Sequence, residues 1–208
     1  PTKMTFVDIA GLVKGASKGE GLGNKFLANI RECDALAHVT RCFEDENVTH
    51  VNNIIDPVAD IEVINTELLL ADLESVTKQI ENFKKRSGKK NDEMLSIAFL
   101  EKVLGLLESG TPVRQGTFSE DESRMLYLSQ LLTSKPTLFI CNVDENSIRE
   151  GNRHSKKVES LANKLEAPTL NISVSIEQEL SEISDEKELK EFLFEMGMES
   201  TGLEQLIQ

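Results

Sequence analysis

Aromatic residues and cysteines are scarce in this chain. It has no tryptophan and one tyrosine, Tyr127, so we do not expect a surface that stacks nucleic-acid bases on aromatic rings. Cys33, Cys42 and Cys141 are widely spaced and odd in number, which fits neither a metal-binding pattern nor a disulfide framework. We expect them to be reduced and mostly buried thiols.

Long apolar runs and an excess of positive charge are also missing. No run approaches the roughly 20 residues that span a bilayer, so no membrane partner is expected. The net charge of −13 argues against broad binding to DNA or RNA, which needs clustered Lys and Arg, although it leaves room for a local basic patch.

The chain also lacks the P-loop motif G-x-x-x-x-G-K-[ST]. Gly19 and Lys25 have the right spacing, but Asn24 replaces the second glycine and Phe26 replaces the Ser or Thr. If the chain binds nucleotide, we therefore expect it to be the middle of a longer protein and to be unable to hydrolyse nucleotide by itself.

Short apolar segments alternate with helical patterns along the chain. We predict strands at Lys3–Asp8, Ala35–Cys42, Pro136–Cys141 and Thr169–Val174, and a helix at Lys156–Leu165. This alternation predicts an α/β fold with a mostly parallel sheet, in which ligands bind at the carboxyl ends of the strands.

A different pattern occupies residues 60–134. Apolar residues with three-four spacing form two narrow seams, at Ile61, Ile64, Leu68, Leu73, Val76, Ile80 and Phe83, and at Ile97, Leu100, Leu104 and Leu107. We predict an antiparallel helical hairpin of the coiled-coil type, followed by a third helix over Phe118–Thr133 with Ser119 as its N-cap. The α/β domain would then comprise residues 1–59 and 135–208, with residues 60–134 inserted.

The segment Asp8–Gly11 follows the first predicted strand and opens a glycine-rich stretch that runs to Asn24. In nucleotide-hydrolysing switch proteins, an Asp at this point reaches the Mg²⁺ shell, here through a water. A Gly lets its backbone N–H approach the terminal phosphate, because it has no Cβ. Taken alone, the four residues also fit an ordinary strand-to-turn junction.

Three longer segments carry a more specific resemblance. Asp8–Asp34, Arg41–Glu44 and Asp60–Leu68 resemble the Obg-like ATPase, or YchF, family of P-loop NTPases, and the resemblance covers nearly the whole chain. It implies a slow molecular switch that hydrolyses ATP to ADP and phosphate with Mg²⁺. It also implies a cytoplasmic location and a ribosome-linked role in translation or stress response. Members of that family begin with a P-loop and a switch I segment and end with a TGS domain. The resemblance therefore implies that this chain is a fragment without these segments and without the first strands of its nucleotide-binding domain.

The segment Asn142–Glu145 follows the third predicted strand, where GTPases usually carry N-K-x-D. The Asp of that motif accepts from N1–H and the 2-amino group of guanine, and adenine has neither. Here Val143 replaces the Lys and Glu145 replaces the Asp, so the pattern favours ATP over GTP. Ser173 begins a Ser-Val-Ser segment in the place of the S-A-K loop, and we give it a supporting role at the base. Read alone, Asn142 could be a simple turn residue.

Leu12 occupies the position where many GTPases carry the Gln that orients the attacking water. Leucine cannot bind water, so another group is needed, and His50 in the polar segment 44–53 is our candidate catalytic residue. The alternative is a surface histidine in an acidic loop. We predict that His38 lies in the core and His154 on the surface at a helix start.

Five cations lie at the predicted hairpin turn in an otherwise acidic chain: Lys84, Lys85, Arg86, Lys89 and Lys90. They are either a solvated turn or a contact with ribosomal RNA phosphate.

The leading hypothesis is therefore a monomeric, Mg²⁺-dependent ATPase that acts on ATP and associates with the ribosome or its RNA. Two alternatives remain. One is a ribosome- or protein-binding module whose nucleotide site is incidental, and the other is a GTP-specific switch.

Overall fold

The computed structural model describes residues 4–9, 22–44, 55–86 and 91–207. It is an α/β fold, as the sequence predicts. The strands are β1 (Leu36–Arg41), β2 (Thr137–Asn142) and β3 (Thr169–Ile172). The helices are α1 (Leu22–Glu32), α2 (Pro57–Arg86), α3 (Asn91–Glu108), α4 (Glu120–Ser129), α5 (Arg153–Lys164), α6 (Val174–Glu182), α7 (Glu186–Glu195) and α8 (Gly202–Ile207).

The three strands form one sheet in the order β1-β2-β3. β2 and β3 are parallel, with Cys141 opposite Asn171. β1 lies along β2, where Cys42 N–H donates to the Asn142 carbonyl at 2.7 Å. Because the chain returns through helices between these strands, their carboxyl ends meet at one edge of the sheet.

The predicted strand at Lys3–Asp8 is wrong for the residues that can be assessed. Residues 4–9 lie outside any strand. Met4, Phe6 and Val7 are 54, 54 and 58% exposed, so the described part of the chain does not cover their apolar side chains. An apolar run becomes a strand only when a neighbour satisfies its backbone N–H and C=O groups.

Contacts divide the chain into two units. As far as their residues are described, one unit comprises Pro1–Phe6, Ala37–Ile61 and Thr137–Gln208, and the other comprises Val7–Leu36 and Glu62–Pro136. The inserted domain at 60–134 stays a prediction, since the second unit also includes the segment that contains α1.

The sheet unit has a core between β2 and α5. Phe139 and Cys141 of β2 pack with Val158 and Ala162 of α5. Cys42, Ile61 and Val143 complete this cluster, and all seven side chains are at most 2% exposed. A second cluster joins Ile176 and Leu180 of α6 to Leu193 of α7.

The helical unit is built around α2 and α3. The seam prediction holds for the distal part of α2, where Val76 and Ile80 pack against Leu100 and Leu107 of α3. Nearer its start, α2 packs differently, because Leu68 and Ala71 join Leu27 and Ile30 of α1 and Leu132 in a separate cluster.

The helix predicted at Phe118–Thr133 is shorter than expected. Ser119 is its N-cap: its Oγ accepts from Glu122 N at 3.3 Å, and Glu122 Oε2 accepts from Ser119 N at 2.7 Å. This reciprocal capping box satisfies two N–H groups at the helix start. α4 ends at Ser129 because Gln130 takes a left-handed conformation with φ of 48°, and a separate 3₁₀ turn follows at Leu132–Ser134.

Candidate nucleotide site

Asn142, the last residue of β2, links the carboxyl ends of the strands. Its side-chain Oδ1 accepts from the backbone N–H of Val174, the first residue of α6, at 3.2 Å. The next residue, Val143, donates its N–H to the Ile172 carbonyl at 2.8 Å, and its side chain is 2% exposed in the sheet core. A ligand at this point would therefore meet the backbone of Val143 and not its side chain.

Asp144 is held from two directions. Its Oδ2 accepts from Ser147 Oγ at 2.8 Å and from Asn152 Nδ2 at 3.3 Å. The Ser147 hydrogen bond, followed by the weaker one from Asn152, lowers the pKa of Asp144 below its ordinary value in spite of some burial. The carboxylate is therefore charged at neutral pH and fixes the turn that carries Glu145.

Glu145 begins a 3₁₀ turn that spans Glu145–Ser147, and its side chain is exposed. Its Oε1 accepts from Ser175 Oγ at 3.1 Å. Ser175 also lies 2.9 Å, oxygen to oxygen, from Ser173, whose side chain is 2% exposed. The two segments predicted to surround the base, 142–145 and 173–175, are thus brought together.

Asn152 was missed by the sequence reasoning. It caps α5 by accepting from His154 N at 2.9 Å and Ser155 N at 3.1 Å. Its Nδ2 donates to the Cys42 carbonyl at 2.6 Å, which ties the end of β1 to the loop after β2. The available signal was an Asn at a helix start, directly after Gly151, which has a φ of +68°.

Three comparisons place this chain among known proteins. A model of the 50S ribosome-binding GTPase family matches residues 1–102. The Ribosome-binding ATPase YchF of Haemophilus ducreyi is 48% identical over 100% of this chain and 57% of its own length. The protein of the same name from Bacillus subtilis is 44% identical with the same coverage. The chain belongs to the YchF family.

A solved YchF structure has the same fold. The structure of the Schizosaccharomyces pombe YchF GTPase superimposes with a TM-score of 0.82 and 32% identity, covering 96% of this chain and 55% of that one. The chain thus spans little more than half the length of its YchF relatives. These proteins are named after different nucleotides, since the bacterial relatives are called ATPases and the yeast protein a GTPase.

The structure describes only some of the site residues predicted for this YchF chain. Asp8 is described: its side chain is exposed, and it lies outside any strand. Gly11, Leu12 and His50 lie outside the described residues. The structure therefore brings together Asn142, Glu145 and Ser173, while the predicted roles of Asp8, Gly11 and His50 stay predictions.

The two described histidines are both sheltered from solvent. His38 lies on β1 with its ring centroid 5.6 Å from that of Phe139, and burial lowers its pKa to about 4 against the opposing effect of Asp60. His38 thus packs against the sheet core, although its side chain is only half-buried. The surface position predicted for His154 is wrong: the residue is at the start of α5, as expected, but is 6% exposed. Its Nε2 lies 3.3 Å from Glu44 Oε1, and its buried Nδ1 has no hydrogen-bond partner among the residues that the structure describes.

The basic tip is partly neutralised by its own helices. Lys84 Nζ lies 3.0 Å from Glu101 Oε1, and Lys85 Nζ lies 3.8 Å from Glu81 Oε2. Arg86 ends α2, and Lys89 and Lys90 lie outside the described residues.

The described residues contain neither a metal-binding cluster nor a membrane-spanning helix. No group of three or more His, Cys, Asp or Glu side chains could hold a metal ion by itself, and no described helix is long and apolar enough to cross a membrane.

Proposed function

We propose that this chain is part of a Mg²⁺-dependent, ATP-hydrolysing molecular switch of the YchF family that works in the cytoplasm. The observation that carries the proposal is the junction at the carboxyl ends of β2 and β3. There one hydrogen bond joins Asn142 to the start of α6 at Val174, and two others join Glu145 through Ser175 to Ser173. Nucleotides bind at this edge of doubly wound α/β sheets.

The choice of ATP rests on two residues of that junction. Val143 fills the position of the Lys that packs along guanine in GTPases, and its side chain is buried in the core. Glu145 replaces the Asp that accepts from guanine N1–H and the 2-amino group, and it has one more methylene. Adenine offers neither of those donors, so the loss of the guanine-reading pair favours ATP.

Asp8 suits the Mg²⁺ site chemically. Mg²⁺ prefers oxygen ligands, keeps several of its waters and is commonly held by one or two carboxylates together with the phosphates. An exposed lone carboxylate, as in Asp8, fits that role through a bound water. When bound, Mg²⁺ would neutralise the charge that develops on the phosphates.

The remaining roles follow the family resemblance. Gly11 would offer its backbone N–H to the terminal phosphate, and His50 would orient or deprotonate the attacking water, because Leu12 cannot. We propose further that the 208-residue chain is inactive alone, since it contains no P-loop Lys and Ser/Thr to hold the β- and γ-phosphates.

Ribosome binding is the proposed partner activity, based on the name of the relatives and on the basic tip at 84–90. Lys84, Lys85, Arg86, Lys89 and Lys90 would contact RNA phosphates while the acidic remainder of the chain stays away from them. We expect a monomer that binds neither DNA nor membranes.

Hydrolysis by the full-length protein tests the catalytic assignments. Asp8→Asn should remove most Mg²⁺-dependent turnover, and His50→Ala should lower kcat by up to about 10²-fold with little change in ATP affinity. The matched control is His38→Gln, which changes a histidine of the sheet core. Wild-type kcat in Asp8→Asn at saturating Mg²⁺ would show that Asp8 is only a turn residue. A wild-type kcat in His50→Ala would show that backbone groups, and not His50, position the attacking water.

A further inference from the structure

Ser175 is the middle residue of a short series of hydrogen bonds that joins two hydroxyl groups and a carboxylate. Its Oγ is 3.1 Å from Glu145 Oε1 and 2.9 Å from Ser173 Oγ. An ionised carboxylate can only accept, so the single Ser175 proton must go to Glu145. Ser173 must then donate to Ser175, and the direction of both hydrogen bonds is fixed.

Ser173, at one end of this series of hydrogen bonds, is held in place by its surroundings. Ser173 is 2% exposed, and its carbonyl accepts from Glu177 N at 2.9 Å in the first turn of α6. Glu145, by contrast, is exposed at the start of a 3₁₀ turn. Ser175 thus connects a fixed helix start to a long side chain that would otherwise sample several rotamers.

The connection contributes little to folding. A hydrogen bond between exposed groups competes with water and is worth little to stability. Its effect is to hold one carboxylate oxygen in place at the strand ends, beside the Asn142–Val174 contact of 3.2 Å.

We propose that Ser175 is a positioning residue for nucleotide selection: it orients the Glu145 carboxylate so that its second oxygen accepts from the 6-amino group of adenine. This inference rests on the proposed function, because it assumes that the base lies at this junction. A carboxylate attracts the 6-amino donor of adenine and repels the 6-oxo acceptor of guanine or hypoxanthine. Glu145 would therefore select for ATP actively, beyond failing to recognise guanine.

ATP and inosine triphosphate are the probes, because inosine lacks the 2-amino group of guanine and its base differs from adenine only at the 6-position and at the neighbouring N1, which carries a hydrogen. Their Kd values are measured by calorimetry on the full-length protein and on three variants. Ser175→Ala removes the donor, Ser175→Thr keeps a hydroxyl, and Ser181→Ala removes a serine of the same helix whose Oγ donates to the local Gln178 carbonyl at 2.7 Å.

We expect Ser175→Ala to reduce the preference for ATP over inosine triphosphate by about three- to tenfold, the effect of one hydrogen bond to a charged group. Ser175→Thr and Ser181→Ala should keep the wild-type ratio, and the thermal midpoint should not move in any variant. An unchanged ratio in Ser175→Ala, with wild type still preferring ATP, overturns the role of Ser175 and leaves the proposed function standing. A wild-type protein that does not bind ATP overturns both.

Discussion

Asp72 of α2 carries a fully buried carboxylate, which is 0% exposed. It accepts from Leu132 N at 2.9 Å, Thr133 N at 2.8 Å and Thr133 Oγ1 at 2.8 Å. Burial raises the pKa of Asp72, while these three hydrogen bonds act in the opposite direction. The carboxylate thus caps the 3₁₀ turn at Leu132–Ser134 and joins it to α2.

Asp72→Ala should lower the free energy of unfolding by about 2–4 kcal/mol, because it leaves two buried backbone N–H groups without an acceptor. Asp72→Asn should also destabilise the fold, since one amide oxygen cannot serve both Leu132 and Thr133. Urea denaturation measures both effects. The control is Glu74→Ala, which removes an exposed α2 carboxylate paired with Lys78 and should have a much smaller effect on the free energy of unfolding. Equal effects of Asp72→Ala and Glu74→Ala would show that the buried cap is unimportant.

Asp144 gives the pH dependence of the site. The hydrogen bond from Ser147 is the largest cause that lowers the pKa of Asp144 in the folded protein. The stabilisation that Asp144 provides is therefore present above its ordinary pKa of 3.8 and is lost as pH falls through the folded pKa. Comparison of wild type with Asp144→Ala from pH 7 to pH 3 by urea denaturation should show a difference of about 0.5 kcal/mol at neutral pH that shrinks under acid. If the difference in unfolding free energy between the two proteins grows under acid, the pKa of Asp144 is not lowered by folding.

At the scale of single residues, the sequence predicts which residues belong to the site better than it predicts their hydrogen-bond partners. Asn142 and Glu145 were found by their place after a strand, which is a local pattern. Asp72 and Asn152 were not, because their partners at 132–133 and at Cys42 are distant in the sequence. The surface position predicted for His154 was wrong for the same reason. Its sequence neighbours are polar, but its ring contacts Glu44, which is distant in the sequence.

Among the elements, helices with a repeating apolar seam were predicted most reliably. Val76, Ile80, Leu100 and Leu107 lie in one cluster because three-four spacing places them on one face. The predicted strand at Lys3–Asp8 failed because a strand depends on a neighbour that local sequence does not specify. The end of α4 was missed because Gln130 adopts a left-handed conformation that carries no strong sequence signal.

The basic tip of the α2–α3 hairpin yields an element-scale prediction. Replacing Arg86, Lys89 and Lys90 by Ser should weaken ribosome co-sedimentation of the full-length protein, and so should replacing Lys84 and Lys85. The latter two are paired with Glu101 and Glu81, and those pairs must open before phosphate can bind. Each lost phosphate contact should flatten the slope of log K against log salt by about 0.7–0.9.

Ser substitutions at Lys187 and Lys190 of α7 are the control for charge alone. Sedimentation of both tip variants at the wild-type level, with an unchanged salt slope, would make the tip a solvated turn. The ribosome contact would then have to be sought elsewhere in the protein.

For the whole molecule, the charge of −13 and the α/β fold leave many functions open. Membership of the YchF family supports the proposed nucleotide-dependent switch, and we propose that the base binds at the junction of Asn142, Glu145 and Ser173. The fold class was predictable because strand and helix patterns alternate along the chain. The proposed roles of Asp8 and His50 depend on tertiary contacts, which local sequence does not specify.

The most direct test of ATP selection is an equilibrium titration of the full-length protein with ATP and with GTP in the presence of Mg²⁺. The buried Val143 side chain and the Glu145 carboxylate predict that ATP binds at least tenfold more tightly, a difference of about 1.4 kcal/mol in binding free energy. GTP binding that is tighter than ATP binding by the same factor would contradict the proposed ATPase.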